Sequence, residues 1–263
     1  MHLKRLLTAA ILLPFFYLYI MKLPPVFFAG LVAAMGLLAT WEFLTFYGSP
    51  VPLKMAGLAM AALLLASTAL AGRVFPDIFA VFILVAATAR LFSLKEPSGA
   101  LRDISVSIIA LLYIPGLLIF QMLLREGGPQ WIIFLYGTVW VGDSLALYVG
   151  SSIGKRKLYP SVSPKKTVEG AIGSITGGMA AAIIIRAVFP LGISYIWAAA
   201  LGLLMGGSAI IGDLIESMFK RDAGVKDSGH ILPGHGGILD KLDGPLFSAP
   251  VLYWSFIVFG LRF

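Results

Sequence analysis

The sequence predicts an all-α, polytopic integral membrane protein with about nine transmembrane helices, and three observations carry that prediction. Of 263 residues, 59% are hydrophobic and 13% charged, with a mean hydropathy of +0.93, far from the composition of a water-soluble domain. Apolar runs long enough to cross a bilayer recur at about 5–21, 25–47, 53–72, 75–92, 104–123, 131–150, 170–190, 194–216 and 245–261. They are continuously apolar rather than alternating, so helices, not barrel strands, must satisfy their backbone groups. The basic residues, finally, are unevenly shared among the linkers. With the N-terminus on the cytoplasmic side, 15 of the 20 Lys and Arg residues fall in cytoplasmic segments, and the C-terminus lies outside.

Taken in order, Met1 to Arg5 form a basic start before the first run, without a convincing small-residue cleavage site, and read as the lead-in to a retained helix. The net charge of +7 and pI near 9.6 reflect the positive-inside bias and give no reason to expect a nucleic-acid partner. The chain has no cysteine, which excludes disulfides, thiolate nucleophiles and cysteine zinc sites. Eight of the 13 acidic residues lie between Asp143 and Asp243. Residues 1–130 therefore read as an N-terminal transmembrane scaffold, and residues 131–263 as a C-terminal catalytic region with cytoplasmic loops at 151–169 and 217–244.

Asp143 and Asp213 sit inside apolar runs, where a bare carboxylate costs several kcal/mol unless it is paired, protonated or metal-bound. On a helix Glu216 and Ser217 would share a face with Asp213. The stretch from Ser217 to Asp243 mixes Lys220, Arg221 and Lys226 with Asp222, Asp227, Asp240 and Asp243 around Gly229, Gly234, Gly236 and Gly237. Carboxylates bind hard divalent cations, basic groups neutralise phosphate, and glycines let backbone N–H groups approach closely, so this composition suits phosphate and metal. Asp240 and Asp243 lie three apart and could converge with Asp213 on one ion.

In the other loop, Ser163 and Pro164 read as the N-cap and first residue of the next membrane helix, placing Lys165, Lys166 and Thr167 in its first turn, a favourable place for phosphate. Gly150 to Arg156 is one residue short of a Walker A loop and follows a membrane helix. His235, between two glycines, is placed to touch a phosphate or carry a proton, whereas His230 and His235 alone do not make a zinc site. Glu42 can be read equally as interfacial or as lining a cavity.

The stretch from Ser217 to Asp243 resembles the signature of the phosphatidate cytidylyltransferases. Ser217, Lys220, Arg221, Lys226, Asp227, Pro233, His235, Gly236, Gly237, Asp240 and Asp243 match at the right spacing, with Lys241 where the family usually has Arg. Asp213 with Glu216, the Ser163 to Gly170 loop and Asp143-Ser144 also look like family features. The resemblance implies transfer of CMP from CTP to phosphatidate, giving CDP-diacylglycerol and pyrophosphate. It implies Mg²⁺ on Asp213, Asp240 and Asp243, with K⁺ at a second site. Catalytic roles fall to those three acids with Lys226 and His235. Substrate binding falls to Ser163, Lys166, Thr167, Ser217, Lys220, Arg221, Asp227, Gly236, Gly237 and Asp143. A homodimer, a bacterial inner-membrane location and an active site facing the cytoplasm follow as expectations. The alternatives are another CTP-dependent lipid enzyme, such as a CDP-archaeol synthase or a polyprenol kinase, and an ion-coupled transporter.

Overall fold

The computed structural model describes residues 14–72, 74, 76–229 and 236–261. Ten α-helices follow one another: α1 (residues 14–22), α2 (Pro25–Phe46), α3 (Val51–Ala71), α4 (Asp77–Leu94), α5 (Ala100–Tyr113), α6 (Pro115–Glu126), α7 (Pro129–Ile153), α8 (Val168–Val188), α9 (Tyr195–Asp222) and α10 (Asp243–Val258). A two-stranded antiparallel hairpin, β1 (Lys157–Tyr159) and β2 (Ser163–Thr167), separates α7 from α8, and a 3₁₀ turn (Leu239–Lys241) precedes α10. The chain is an integral membrane protein: with α5 and α6 counted as one span, seven segments among the described residues are long and apolar enough to cross a bilayer. The other two apolar runs of the sequence correspond to α10, with 16 residues, and to α1, described from residue 14.

Proline and glycine set most boundaries. Pro25, Pro115 and Pro129 open α2, α6 and α7, where a missing N–H costs nothing, and Gly72 in the left-handed conformation closes α3 by donating to Thr68 O. The run expected at about 104–123 is broken between α5 and α6, because Pro115 cannot donate to the carbonyl of Leu111. Arg90, counted from the sequence only as a basic linker residue, is buried. It folds the turn from α4 to α5 by donating to Asp103 Oδ2 (2.7 Å) and to the carbonyls of Glu96 (2.8 Å) and Ser98 (2.7 Å).

Two expectations fail. The loop expected over 217–244 begins as helix, because α9 continues its hydrogen bonding to Asp222 and carries Ser217, Lys220 and Arg221. Ser163 and Pro164 do not start a helix: they lie in β2, paired with β1 in the register Lys157–Thr167 and Tyr159–Ser163, and α8 begins at Val168. The N-cap is Thr167, whose hydroxyl accepts from Gly170 N at 3.1 Å. An edge strand tolerates Pro164, and the extended backbone keeps Lys165 and Lys166 off the positive end of the helix dipole.

The second half packs as α7 on α8, α8 on α9 and α9 on α10, while α6 joins it to α2, α3 and α5. The contact of α8 with α9 is backbone on backbone. A Cβ on Gly202 would meet Gly178 O at 2.6 Å, and one on Gly178 would meet Gly202 O at 2.7 Å. α4 lies outermost, burying only Ile78, Phe82, Ala86 and Arg90. At the end of the bundle where α2 and α9 finish, the Tyr47 hydroxyl donates to Asp222 Oδ2 at 3.0 Å.

Gly202→Ala must push α8 and α9 apart and should destabilise the protein by about 1–3 kcal/mol. Gly207→Ala, where a Cβ meets nothing within 4 Å, should be neutral or slightly stabilising; thermal unfolding in detergent distinguishes the two.

Candidate active site

Helix periodicity places Asp213, Glu216, Ser217 and Lys220 along one side of α9, and that side meets the start of α10. Gly212 permits the approach, since a Cβ there would strike the carbonyl of Asp243. Asp243 opens α10, accepts from Gly244 N at 2.8 Å and places its negative charge at a helix N-terminus, where the dipole favours it. Asp213, Glu216 and Asp243 each offer a carboxylate oxygen, and the three oxygens lie within 4.8 Å of one another.

Lys220 limits the repulsion. Its ammonium is buried between Glu216 Oε2, at 2.9 Å, and Asp240 Oδ1, at 2.6 Å. The other oxygen of Glu216, Oε1, is buried without a hydrogen-bond partner. Three converging carboxylates with one oxygen unsatisfied fit a hard divalent cation, so Asp213, Glu216 and Asp243 could hold one.

Asp240 belongs to the 3₁₀ turn and faces Lys220 rather than the carboxylate trio. It also accepts from Ser228 N (3.1 Å), Ser228 Oγ (3.0 Å) and Gly237 N (2.7 Å). Burial pushes its carboxyl up, but the Lys220 ammonium and the N–H groups of Gly237 and Ser228 outweigh burial and hold it below the usual carboxylate range. Gly236, at φ 84°, and Gly237 leave room for this arrangement: a Cβ on Gly236 would meet Asp240 Oδ2 at 2.5 Å.

The hairpin supplies the facing cation. Lys166 Nζ lies 2.5 Å from Asp213 Oδ2. Glu169, in the first turn of α8, fixes the hairpin base by accepting from the backbone N–H groups of Lys155 (3.1 Å) and Arg156 (3.3 Å). Between hairpin and helices lies a cavity of about 570 Å³. Asp143, Lys165, Lys166, Asp213, Asp240, Lys241 and Asp243 contribute charged groups to its lining, and Trp140, Leu147 and Pro245 contribute apolar ones. That volume is within the roughly 300–1,000 Å³ of small-molecule sites.

The structure thus gathers Asp143, Lys166, Thr167, Asp213, Asp240 and Asp243 around one cavity. Ser217 stands behind Asp213, donating to its Oδ1 at 3.4 Å, and Lys220 lies beneath. Arg221 is turned away, donating to the carbonyls of Val162 (3.3 Å) and Val225 (3.0 Å) and so tying the hairpin to the end of α9. Ser163 is half-buried in β2, and Lys226 and Asp227 are exposed on the turn after α9; these three do not line the cavity. His235, with Pro233, lies outside the described residues. Sequence reasoning missed the part of Glu216 in the trio, noting only the face it shares with Asp213, and left Glu42 unresolved. Glu42 is buried and accepts from Ser228 Oγ, Ile238 N and Leu239 N.

The profile of the cytidylyltransferase family matches residues 3–259. The chain belongs to the cytidylyltransferase family. Within this family it is similar to the phosphatidate cytidylyltransferase of Thermotoga maritima, 33% identical over 98% of this chain and 96% of the relative. The Bacillus subtilis phosphatidate cytidylyltransferase is 45% identical over 52% of this chain, and that match spans about half (51%) of the relative's length. The Mycobacterium tuberculosis phosphatidate cytidylyltransferase is 39% identical over 59% of this chain and 47% of its own length.

Replacing Lys220 by Met leaves the buried Glu216 and the half-buried Asp240 without their shared counter-charge and should cost about 3 kcal/mol. Lys226→Met, at an exposed position, should stay within about 0.5 kcal/mol. Denaturation of the two variants in detergent compares them directly.

Proposed function

We propose that this cytidylyltransferase-family membrane protein transfers CMP from CTP to phosphatidate, producing CDP-diacylglycerol and pyrophosphate for phospholipid synthesis. The observation that carries this reading is a single cavity lined by Asp213 and Asp243, which meet Glu216 beneath it, by Lys166 in contact with Asp213, and by the apolar Trp140, Leu147 and Pro245. The charged groups of that lining suit a nucleoside triphosphate, and the apolar ones suit the lipid's acyl chains. Full-length similarity to a relative named phosphatidate cytidylyltransferase supports the same assignment.

Asp213, Glu216 and Asp243 would hold Mg²⁺, with K⁺ as the candidate for a neighbouring site. A bound divalent ion supplies charge neutralisation on the phosphates and favours in-line displacement at phosphorus. The chain's own groups do the positioning. Lys165, Lys166 and Lys241 draw two anionic reactants into one cavity. Thr167 fixes the hairpin-to-helix junction that carries Lys166. Lys220 keeps Glu216 and Asp240 apart in charge, so Glu216 stays available to a cation. A phosphate oxygen of phosphatidate forms the new bond to the α-phosphorus of CTP as the bond to pyrophosphate breaks. The attacking phosphate is already ionised near neutral pH, with a second pKa of about 6, so no general base is required. Asp143 completes the acidic wall, and Asp227, Lys226 and His235 remain the candidates for contacts with substrate at the loop.

We place the protein in a bacterial inner membrane with this cavity facing the cytoplasm, where the charge bias puts the basic loops and where CTP is available, and we expect a homodimer. Purified protein incubated with radiolabelled CTP, phosphatidate and Mg²⁺ should move label into the lipid extract and release pyrophosphate. Ether-linked and prenyl phosphates should be poorer acceptors; a preference for either would refute the phosphatidate assignment. Asp243→Asn should lower turnover by on the order of a thousandfold, and chelation with EDTA should abolish turnover reversibly. Turnover that survives the chelator would exclude the metal site.

A further inference from the structure

We propose that Glu42 of α2 is a positioning residue that holds the Asp240 turn, and through it Asp243, in the geometry the cavity needs. The proposal deepens the cytidylyltransferase reading and rests on it.

Glu42 lies one turn from the end of α2, in the half of the chain read from the sequence as scaffold, and is 3% exposed. Its donors among the described residues lie 186 to 197 positions further on: Ser228 Oγ at 3.2 Å, Ile238 N at 3.0 Å and Leu239 N at 3.0 Å. Among the described residues no Lys, Arg or His forms an ion pair with it. A buried carboxylate satisfied only by neutral donors costs more than an apolar side chain of similar volume would, so packing alone does not account for it.

A carboxylate contributes something that Leu or Phe cannot. It caps the open N–H groups at the start of the 3₁₀ turn Leu239–Lys241, the turn that carries Asp240. The Ser228 hydroxyl stands between Glu42 Oε2 and Asp240 Oδ2, 3.2 Å from one and 3.0 Å from the other, so the two carboxylates share its single proton. Both flanks of residues 230–235 are fitted around Glu42. A Cβ on Gly229 would meet its Oε1 at 2.6 Å, and a Cβ on Gly237 would meet its Oε2 at 2.5 Å. Asp243 begins α10 directly after this turn, so a displaced turn moves two cavity carboxylates together.

The test uses the full-length protein in detergent. Glu42→Gln keeps shape but replaces one acceptor oxygen with a donor that opposes Ile238 N or Leu239 N. Its kcat should fall on the order of a hundredfold, the loss that a misplacement of about 1 Å produces, with the unfolding midpoint within about 5 °C of the parent. Hydrogen exchange at the amides of Ile238 and Leu239 should accelerate, and Mn²⁺, used as a probe ion, should bind more weakly. Wild-type kcat with a lowered midpoint would make Glu42 purely structural and overturn the proposal. A second arm covers a variant that folds poorly. Gly229→Ala should reduce kcat in the parent but add little on Glu42→Ala, where the obstructing carboxylate is gone. Equal cost in both backgrounds would overturn the coupling. If the parent shows no lipid-dependent use of CTP, the functional reading fails by itself. Amide exchange and Mn²⁺ binding, which need no turnover, then decide the role of Glu42.

Discussion

The ammonium of Lys220, buried between Glu216 and Asp240, is the interaction on which the candidate site depends. Four carboxylates from α9, the 3₁₀ turn and α10 come close together at the end of an apolar bundle, an arrangement that mutual repulsion and desolvation would otherwise open. Lys220 joins the two elements that differ most in origin, a membrane helix and a loop turn, through one group with three donors. It also divides the acids into two sets. Asp240 is engaged by Lys220 and by backbone N–H groups, whereas Asp213, Glu216 and Asp243 retain oxygens that face one another.

The polar skeleton of this site was legible in the sequence because the bilayer makes every buried charge expensive. Asp143 and Asp213 stood out against apolar runs, and the spacing of Lys220, Asp240 and Asp243 marked the rest. The parts that were not legible depend on distant partners. Nothing local shows that Asp240 faces Lys220 while Glu216 joins Asp213, since both choices satisfy helical periodicity. Glu42 was ambiguous for the same reason: its donors lie far along the chain and include two backbone groups, which carry no residue signature.

Most described helix bounds were legible to within about four residues, but α9 runs on to Asp222, six residues past the expected end, and one helix start was misread. Ser163-Pro164 has the composition of a helix start, but strand pairing with β1 satisfies the backbone earlier and Thr167 caps the helix instead. Tertiary pairing overrode a local preference worth about 1 kcal/mol. The result matters chemically, because the extended Lys165-Lys166 segment lines the cavity from β2 instead of crowding a helix terminus. The break at Pro115 shows the opposite balance, with a local steric rule interrupting a run that hydropathy treats as continuous.

The contact of α8 with α9 at Gly178 and Gly202 has a mechanical consequence. Two helices whose carbonyls touch the opposing backbone cannot slide by part of a turn without a clash, since close-packed interiors deform little. The deep wall bearing Asp213 is therefore stiff. A small two-stranded flap, anchored through Glu169 at its base and Arg221 near its tip, is the lighter partner. The flap rests on a few hydrogen bonds and the Lys166–Asp213 ion pair, whereas the helix bearing Asp213 rests on backbone contact, so displacing the flap costs less than displacing the carboxylates.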